Sequence, residues 1–422
     1  MYIIQGLITL NVTVSIVFII FYFYQIVYIA ISLWSKKVDT NSIDTKIRNY
    51  AILVSARNEE SVIPLLINSI KEQSYNQSNI TVFVVADNCT DNTAKSAVSS
   101  GAIVYERHNN TLVGKGFAID FLLTQIEKNH GLNTFDGFFV FDADNLLDKA
   151  YISEMNGVID RGYDILTSYR NSKNYETNWI TAGYSLWFLR EARFMNHPRM
   201  LLGTGCAISG TGFFMSTKII KENNGWPFHL LTEDIEFSIY SAIKGYKIGY
   251  CGTAVFYDEQ PTTFAQSFRQ RMRWTKGFYQ VFGKYGLALT KTMILKKNFY
   301  AYDMFMTVLP GMVITSVTMA INLTVIIVGS IIGVDILPLA TMFLSFLLTF
   351  YLLLFSIGLI TTITEWKKIY AKNFFKIAYL FTFPLFMLTY MPIAIFAMFL
   401  KVTWKPILHT STKTIADIQN KI

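Results

Sequence analysis

The sequence predicts an α/β domain with a mostly parallel sheet, joined to transmembrane helices. Between residues 48 and 290, short runs rich in β-branched and aromatic residues alternate with helical patterns, and strands that alternate with helices form parallel sheets covered on both faces. Outside that region, four long stretches contain no Asp, Glu, Lys or Arg. The chain of 422 residues is 52% hydrophobic and only 16% charged, with a mean hydropathy of +0.34, which is unusual for a soluble domain.

The uncharged stretches predict membrane spans. They are residues 1–35, 304–334, 336–364 and 377–400. Each is longer than the roughly 20 residues that a helix needs to cross the hydrocarbon core. We therefore expect an N-terminal transmembrane helix in residues 1–35 and a C-terminal transmembrane region of about three spans in residues 304–400. Pro384 and Pro392 leave a second interpretation open for the last stretch, a re-entrant or interfacial hairpin.

Flanking lysines predict the orientation in the membrane. Lys36 and Lys37 follow the first stretch directly, so the positive-inside rule places the N-terminus outside and the 48–290 domain in the cytosol. Residues 365–376 carry four lysines and are also predicted to be cytosolic. Four complete crossings would place the lysines after residue 400 outside the cell, against the same rule. The sequence therefore does not decide the side of the C-terminus. The predicted location is the cell membrane, as a multi-pass protein.

The net charge of +8 is interpreted as a membrane-surface feature, because basic residues beside spans meet anionic lipid headgroups. We expect no nucleic-acid partner, since no basic stripe with a reader motif occurs. The three cysteines, Cys89, Cys206 and Cys251, fall in the predicted cytosolic part, where thiols stay reduced. A zinc site has little support, because no CxxC motif occurs and the five histidines are scattered.

The soluble domain is predicted to contain five strands separated by helices. The strands are expected at residues 50–55, 80–86, 102–106, 136–142 and 164–168. The helices between them are expected at residues 58–73, 91–99, 114–129 and 148–160.

Polar clusters follow three of these strands, in residues 55–60, 87–91 and 142–145. Ligands of such sheets bind beyond the carboxyl ends of the strands. Asp and Asn are also ordinary turn residues, so one cluster alone would indicate little. Three clusters on the same rim favour a binding site.

The DADN segment, residues 142–145, gives the most specific prediction of the three clusters. Asp142 and Asp144 are two residues apart, so both can face one side of an extended segment. Carboxylate oxygens suit Mg²⁺ or Mn²⁺, which keep positions open for substrate phosphates. Lys115 lies between two glycines at a predicted helix start, where backbone amides and an ammonium favour a phosphate. A helix-start turn with a solvated lysine is the alternative.

Two later segments add candidate residues. In residues 230–240, Thr232 is a plausible N-cap, and the acidic residues after it, Asp234 among them, suit the first turn of a helix. That interpretation leaves open whether Asp234 faces solvent or a pocket. Residues 257–278 predict an amphipathic helix with an aromatic side and a basic side, typical of a membrane interface. An anchor alone does not explain why Gln270, Arg273 and Trp274 share one turn.

In order, the chain has N-E after the first strand, an acidic D-x-x-x-D turn, D-x-D, T-E-D and Q-x-x-R-W, followed by spans. This set resembles the membrane-embedded family 2 glycosyltransferases, the group that includes cellulose, chitin, hyaluronan and poly-N-acetylglucosamine synthases. The resemblance covers about residues 48–290 by motif and the remainder by architecture. It implies a cytosolic GT-A domain that ends in an interfacial amphipathic helix and transfers a sugar from a nucleotide diphosphate with inversion.

The resemblance also implies roles for the residues that match the motifs. Asp87 should contact the uracil or ribose of a UDP-sugar, with Glu59 near the same nucleoside. Asp142 should touch the nucleotide, and Asp144 should hold Mg²⁺ or Mn²⁺. Lys115 is the expected phosphate contact because of its position at a helix start, and not because of the resemblance.

On the acceptor side, Asp234 would be the general base. Gln270, Arg273 and Trp274 would line the acceptor and diphosphate end, and the small residues of SGTG, 209–212, would leave room for the incoming sugar. These residue types suit the chemistry: the leaving diphosphate must be neutralised by a metal and cations, and an acceptor hydroxyl needs a carboxylate to take its proton.

The expected function is therefore that of an inverting hexosyltransferase or N-acetylglucosaminyltransferase that extends a β-linked polysaccharide, with glucose or N-acetylglucosamine as the sugar. Glycosylation of a membrane lipid is the alternative, because lipid glucosyltransferases of the same family share the motifs. A non-catalytic scaffold or carbohydrate sensor is disfavoured by the intact motifs. Four spans are fewer than the large synthases use, so export would need a partner protein or a homo-oligomer.

Overall fold

The structure, a computed structural model, describes residues 2–35, 46–309, 311–333, 335, 337–403, 407 and 409–420. Four lysines of the orientation argument lie outside the described residues: Lys36, Lys37, Lys405 and Lys421.

One eight-stranded sheet forms the centre of the domain. Its strands are β1 Tyr50–Ala56, β2 Ile80–Asp87, β3 Ile103–Arg107, β4 Gly137–Asp142, β5 Leu146–Leu147, β6 Ile165–Ser172, β7 Phe213–Ser216 and β8 Ile248–Asp258. Their spatial order is β3-β2-β1-β4-β7-β6-β8-β5. Neighbours pair in parallel from β3 to β4 and between β6 and β8, whereas β7 is antiparallel to both of its neighbours and β5 is antiparallel to β8. The predicted mostly parallel sheet is confirmed.

The strands are hydrophobic on both faces because helices cover both faces. Along β1, Ala51 and Leu53 belong to one buried cluster, while Tyr50, Ile52 and Val54 belong to another. This alternation is the two-residue period of a strand. It explains why the strands read as nearly continuous apolar runs, as strands of parallel sheets do.

The helices of the domain lie close to their predicted positions. They are α2 Ile63–Lys71, α3 Thr93–Ser99, α4 Lys115–His130, α5 Tyr151–Ile159, α6 Trp179–Arg190, α7 His197–Leu201, α8 Thr217–Glu222 and α9 Glu233–Lys244, with a π-helical turn at Glu191–Asn196 between α6 and α7. The apolar part of the chain supplies α1 Tyr2–Trp34, which precedes them, and α10 Phe264–Leu295, α11 Phe299–Val308, α12 Gly311–Ile331, α13 Leu337–Thr364, α14 Asn373–Leu388, α15 Tyr390–Phe399 and the short α16 Ile415–Gln419, which follow them.

Four segments of the described residues are long and apolar enough to cross a membrane: Gln5–Trp34, Val313–Ile331, Leu337–Thr364 and Asn373–Phe399. They correspond to the four predicted stretches. The last of them differs from the others, because half of its most apolar window is buried inside the protein and because it is divided into α14 and α15 at Thr389.

The residues before and after the α14–α15 pair contact the α/β domain. Ahead of the pair, Glu365 accepts a hydrogen bond from Tyr169 of β6, and the Lys368 carbonyl accepts one from Asn171. After the pair, the backbone of Thr410 donates to Glu259 beyond β8. Residues before and after the last apolar segment therefore contact the same domain.

The first helix is joined to the domain by a buried ion pair. Arg199 of α7 makes two hydrogen bonds to Asp303 of α11, at 2.8 and 2.6 Å. The hydroxyls of Tyr24 and Tyr28 on α1 donate to the same carboxylate. Because both charges are buried and the remaining lone pairs are satisfied, the cluster holds three separate helices together.

Candidate active site

The carboxyl ends of β1, β2 and β4 meet at one edge of the sheet. Ser55 of β1 pairs in register with Asp142, the last residue of β4, and Asp87 is the last residue of the neighbouring β2. Glu59 follows β1 in the loop before α2. The structure thus brings together the three acidic residues that the sequence analysis assigned to donor binding.

Asp142 and Asp144 lie in different environments. The Asp142 side chain is 35% exposed, and its carboxylate pairs with the Lys115 ammonium at 2.5 Å. Asp144 is buried, and it accepts a hydrogen bond of 2.9 Å from the backbone N–H of Glu259. The sequence analysis placed both side chains on one side of an extended segment, but β4 ends at Asp142 and the chain turns there. The turn directs Asp144 toward β8.

Asp87 is paired with Arg107, the last residue of the adjacent β3. The guanidinium donates to Asp87 Oδ1 at 2.5 Å, and both side chains are buried. Arg107 also donates to the Leu112 carbonyl. The pair fixes the Asp87 carboxylate at the strand edge, which leaves its second oxygen available to a ligand.

Three other carboxylates lie near Asp144, those of Glu59, Asp258 and Glu259. Burial raises the pKa of Asp258 to about 6, with a further contribution from Asp144 and against the effect of its partner Arg170. Burial likewise raises the pKa of Glu59 to about 7. Glu59 Oε2 is buried and has no hydrogen-bond partner among the residues that the structure describes. The negative potential here favours a bound cation.

Two buried cations face this cluster, and the sequence analysis missed both. Lys173 follows β6, and its ammonium is buried without a hydrogen-bond partner in the described part of the chain. Burial lowers the Lys173 pKa, while Asp144 and three other carboxylates act in the opposite direction. His409, near the end of the chain, places Nδ1 2.9 Å from Glu59 Oε1. Burial lowers the His409 pKa, but the carboxylates, Asp144 first among them, outweigh it and raise that pKa to about 10.

The donor atoms present suit a divalent cation that brings other ligands with it. Asp144 is a hard oxygen ligand, and Glu59 Oε2 is an unpartnered oxygen in the same cluster. Among the described residues, no group of three or more His, Cys, Asp or Glu is placed to hold a metal ion by itself. Mg²⁺ and Mn²⁺ commonly bind through one or two carboxylates and complete their shell with water and substrate phosphates.

One residue, Gly210, lies between the donor side and the predicted base. The Lys115 ammonium, besides pairing with Asp142, donates to the Gly210 carbonyl at 2.7 Å. The Asp234 carboxylate lies against the same residue, with Oδ2 3.9 Å from the position that a Cβ on Gly210 would take, and the Gly210 amide lowers the Asp234 pKa. Gly210 has φ of +80°, a conformation that glycine adopts without strain. The loop therefore holds Lys115 and Asp234 on opposite sides of one residue.

Asp234 lies in the first turn of α9, beside Glu233. Burial raises the pKa of Glu233 to about 7, with Asp234 as the next cause. Burial also raises the pKa of Asp234, against the lowering effect of backbone amides and Lys115. Thr232 occupies the N-cap position as predicted, but its side chain makes no capping hydrogen bond. Three backbone amides, two of them in the first turn of the helix, thus favour the charged form of a carboxylate that burial disfavours, which suits a group that must accept a proton.

The Q-x-x-R-W residues lie on α10, where the sequence predicted a helix. Gln270 Oε1 is buried and has no partner among the described residues. Arg273 is half-buried, and its charge lowers the pKa of Glu233, so it lies near the predicted base. Trp274 is half-buried, with the ring of Tyr184 edge-on at 5.7 Å and that of Phe188 at 6.2 Å. Two aromatic rings therefore fix the orientation of the tryptophan.

Arg271, between these residues, has a different role that the sequence analysis did not assign. It is fully buried and donates to the Phe386 carbonyl and to the Thr389 hydroxyl, at the break between α14 and α15. The rings of Phe386 and Tyr390 lie 4.4 and 4.9 Å from its guanidinium carbon. Arg271 therefore joins α10 to the α14–α15 pair.

Residues 48–277 match the family described as glycosyltransferase like family 2. The chain is 25% identical over 277 residues to the probable glycosyltransferase YdaM of Bacillus subtilis, with 60% of each chain covered. It is 24% identical over 279 residues to a beta-monoglucosyldiacylglycerol synthase of Synechocystis, covering 64% of this chain and 57% of the relative. With a poly-beta-1,6-N-acetyl-D-glucosamine synthase of Staphylococcus aureus it shares 24% identity over 272 residues, or 62% and 61% of the two chains. The chain thus spans about three fifths of the length of these relatives.

Among solved structures, the mannosyltransferase PcManGT of Pyrobaculum calidifontis, in complex with GDP-Man and Mn²⁺, superposes with a TM-score of 0.55 at 13% identity. The superposition covers 93% of this chain and 99% of that one. At this identity the similarity concerns the fold, and together with the family match it confirms the predicted GT-A type.

Proposed function

The chain belongs to the family 2-like glycosyltransferases, and on that basis we propose that it transfers glucose or N-acetylglucosamine from a UDP-sugar to an acceptor hydroxyl, with inversion, at the cytosolic face of the membrane. The observation that carries the proposal is the position of Gly210 between the two sides of the site. Its carbonyl accepts a hydrogen bond from Lys115 of the donor side, and the carboxylate of the predicted base Asp234 lies against the same residue. A donor and an acceptor bound on either side of this loop would meet across one residue.

On the acceptor side, Asp234 accepts the proton of the attacking hydroxyl. Its burial raises its affinity for a proton, and a base works best when its pKa approaches the working pH. Arg273, beside the same turn, is oriented by α10 toward the negative charge that develops on the leaving diphosphate. Trp274 offers an aromatic face to the acceptor sugar, held by its two neighbouring rings.

On the donor side, Glu59 and Asp87 contact the nucleoside and Asp142 the nucleotide. Lys115 and the unpartnered Lys173 neutralise the diphosphate from two directions. Asp144 would hold Mg²⁺ or Mn²⁺, which when bound neutralises the leaving diphosphate as a Lewis acid. Inversion in a single displacement requires no enzyme nucleophile, so the chain supplies a base, cations and the orientation of the two substrates.

The acceptor that we propose first is a growing β-linked polysaccharide, as in the synthase relative. A membrane lipid is the second candidate, and a groove favours it. The groove has a volume of about 370 Å³ and lies between α12 and α15, lined by apolar side chains such as Val317, Ile321 and Phe399. Lys276 of α10 donates to the carbonyl of Met398, which also lines it. Acyl chains in this groove would lie beside the helix that carries Q-x-x-R-W.

The connectivity of the last apolar segment supports a cytosolic C-terminus. If α1, α12 and α13 cross the bilayer and the α14–α15 pair enters and leaves on one side, the domain and the residues after 409 share a side. The C-terminal lysines then lie in the cytosol, as the positive-inside rule requires. The conflict that four full crossings created is thereby removed.

One experiment tests the activity and separates the acceptors. The purified full chain is incubated with labelled UDP-glucose or UDP-N-acetylglucosamine and membrane lipids, and the product is partitioned between organic solvent and water and then sized. A large water-soluble product supports the polymer, and an organic-soluble product supports the lipid. Asp234→Asn is the matched control, and transfer at an undiminished rate by this variant would contradict the proposed site.

A further inference from the structure

The C-terminal segment, residues 409–419, crosses the carboxylate edge of the sheet. His409 lies 2.9 Å from Glu59 beyond β1. The next two backbone amides, of Thr410 and Ser411, donate to the two carboxylate oxygens of Glu259 beyond β8, at 3.2 and 3.0 Å. Since the Glu259 amide holds Asp144, the segment spans from one side of Asp144 to the other.

The segment is anchored beyond the site as well. Ile418 of α16 is buried in a small cluster with Leu146 and Tyr257, and Gln419 donates to the Tyr257 hydroxyl at 3.1 Å. Thr414 and Asp417 form a reciprocal capping box at the start of α16. These contacts fix the position of His409 by packing several residues away from it, so the imidazole is held rather than merely touching Glu59.

The orientation of the His409 ring determines what it can bind. A carboxylate oxygen accepts the hydrogen bond from Nδ1, so Nδ1 carries the proton. Nε2 makes no hydrogen bond to any described residue. A histidine that donates its Nδ1–H to a carboxylate and has no protein partner at Nε2 has the arrangement found in metal-ligating histidines. His409 is protonated at neutral pH, so an ion that binds Nε2 displaces the proton there.

We propose that the C-terminal segment is part of the metal site: His409 presents Nε2 to the ion that Asp144 holds, and Glu59 orients the imidazole. This inference rests on the metal role of Asp144 in the proposed function. Two features point to a cation here, namely the unpartnered Glu59 Oε2 and the grouping of three other carboxylates near Asp144. A nitrogen ligand favours a transition-metal ion such as Mn²⁺ over Mg²⁺, which prefers oxygen.

The test is a titration of the full chain, in detergent micelles, with Mn²⁺ alone. Free and bound Mn²⁺ are distinguished by electron paramagnetic resonance, and spin-echo modulation reports a ligating ¹⁴N nucleus. We expect His409→Ala to weaken Mn²⁺ binding on the order of tenfold to a hundredfold and to abolish the nitrogen modulation. Thr410→Ala is the matched control, since Thr410 contributes only its backbone amide, and it should bind as the unmodified chain does.

Ile418→Asp provides a second route that leaves the site residues intact. It undocks α16, so it should also abolish the nitrogen modulation. An unchanged Mn²⁺ affinity and modulation in both variants would overturn the inference, and a tighter affinity would do so by showing that the segment obstructs the ion. Asp144→Asn distinguishes a failure of the His409 role from a failure of the Asp144 role. If Asp144→Asn alone loses Mn²⁺ binding, Asp144 is a ligand and His409 is not. If Asp144→Asn binds Mn²⁺ normally, the proposed metal role of Asp144 itself fails.

Discussion

Replacement of Asp234 by asparagine tests the base most directly. Asparagine has nearly the same shape, and its side-chain oxygen can still face the backbone amides that lower the Asp234 pKa. The variant removes one negative charge and with it the carboxylate that could take a proton. Glu233, one residue earlier in the same turn, remains as an internal reference.

The expected magnitudes separate catalysis from folding. Loss of one acidic side chain at a helix N-terminus costs about 0.3–1 kcal/mol of stability, and Asp234 also escapes the penalty of burying a charge. Loss of a general base slows turnover roughly 10²- to 10⁴-fold, which corresponds to about 3–5 kcal/mol in the activation barrier. Transfer should therefore collapse in a protein that still folds.

The assay measures labelled sugar transfer, UDP binding by calorimetry and thermal unfolding, with Glu233→Gln as the matched variant. Glu233→Gln makes the same charge change in the same turn and should lose less turnover. Because burial raises the Asp234 pKa, the base is lost as the pH falls through that raised pKa. The ordinary pKa of a carboxylic side chain is about 4. The acid limb of the turnover profile should therefore lie at a higher pH than that.

Two results would refute the reasoning. A collapse of UDP affinity in Asp234→Asn would make Asp234 a donor-site or helix-start residue. A larger loss of turnover in Glu233→Gln than in Asp234→Asn would assign the base to Glu233, whose pKa is raised to about 7.

Three further predictions follow from the site and its supports. Asp144→Asn should abolish transfer with little change in unfolding temperature, and full activity of the unmodified chain in excess chelator would contradict a metal role. Arg273→Lys should cripple transfer while membrane retention stays normal, because lysine lacks the planar fork that binds a diphosphate. The exposed Arg269 on the same helix is the control, and equal losses in both lysine variants would favour a charge-only anchor. Asp303→Asn should lower the free energy of unfolding by about 3–5 kcal/mol, because it leaves the buried Arg199 charge uncompensated, and a change below ~1 kcal/mol in denaturant unfolding would show that the cluster does not join the helices as described.

Local patterns in the sequence were sufficient for the elements and for part of the site. Strand positions followed from apolar runs such as residues 136–142, which the structure has as Gly137–Asp142, because a strand covered on both faces must be apolar throughout. The spans followed from hydropathy and length. Asp87 and Asp142 were predictable candidates because parallel strands deliver their carboxyl ends to one edge, whatever the rest of the chain does.

Only the tertiary structure decided which side chains meet at that edge. Lys173 and Glu259 follow β6 and β8, two strands whose places beyond β7 no local pattern specifies, and His409 reaches Glu59 across 350 residues of sequence. The Q-x-x-R-W motif singles out Arg273, but nothing in the sequence predicts the partners of Arg271, which is buried against Phe386 while Arg273 lies near Glu233. The physical reason is that periodicity and composition act over one helix turn or one strand, whereas partners are selected by sheet order and by the packing of distant segments, which no short stretch contains.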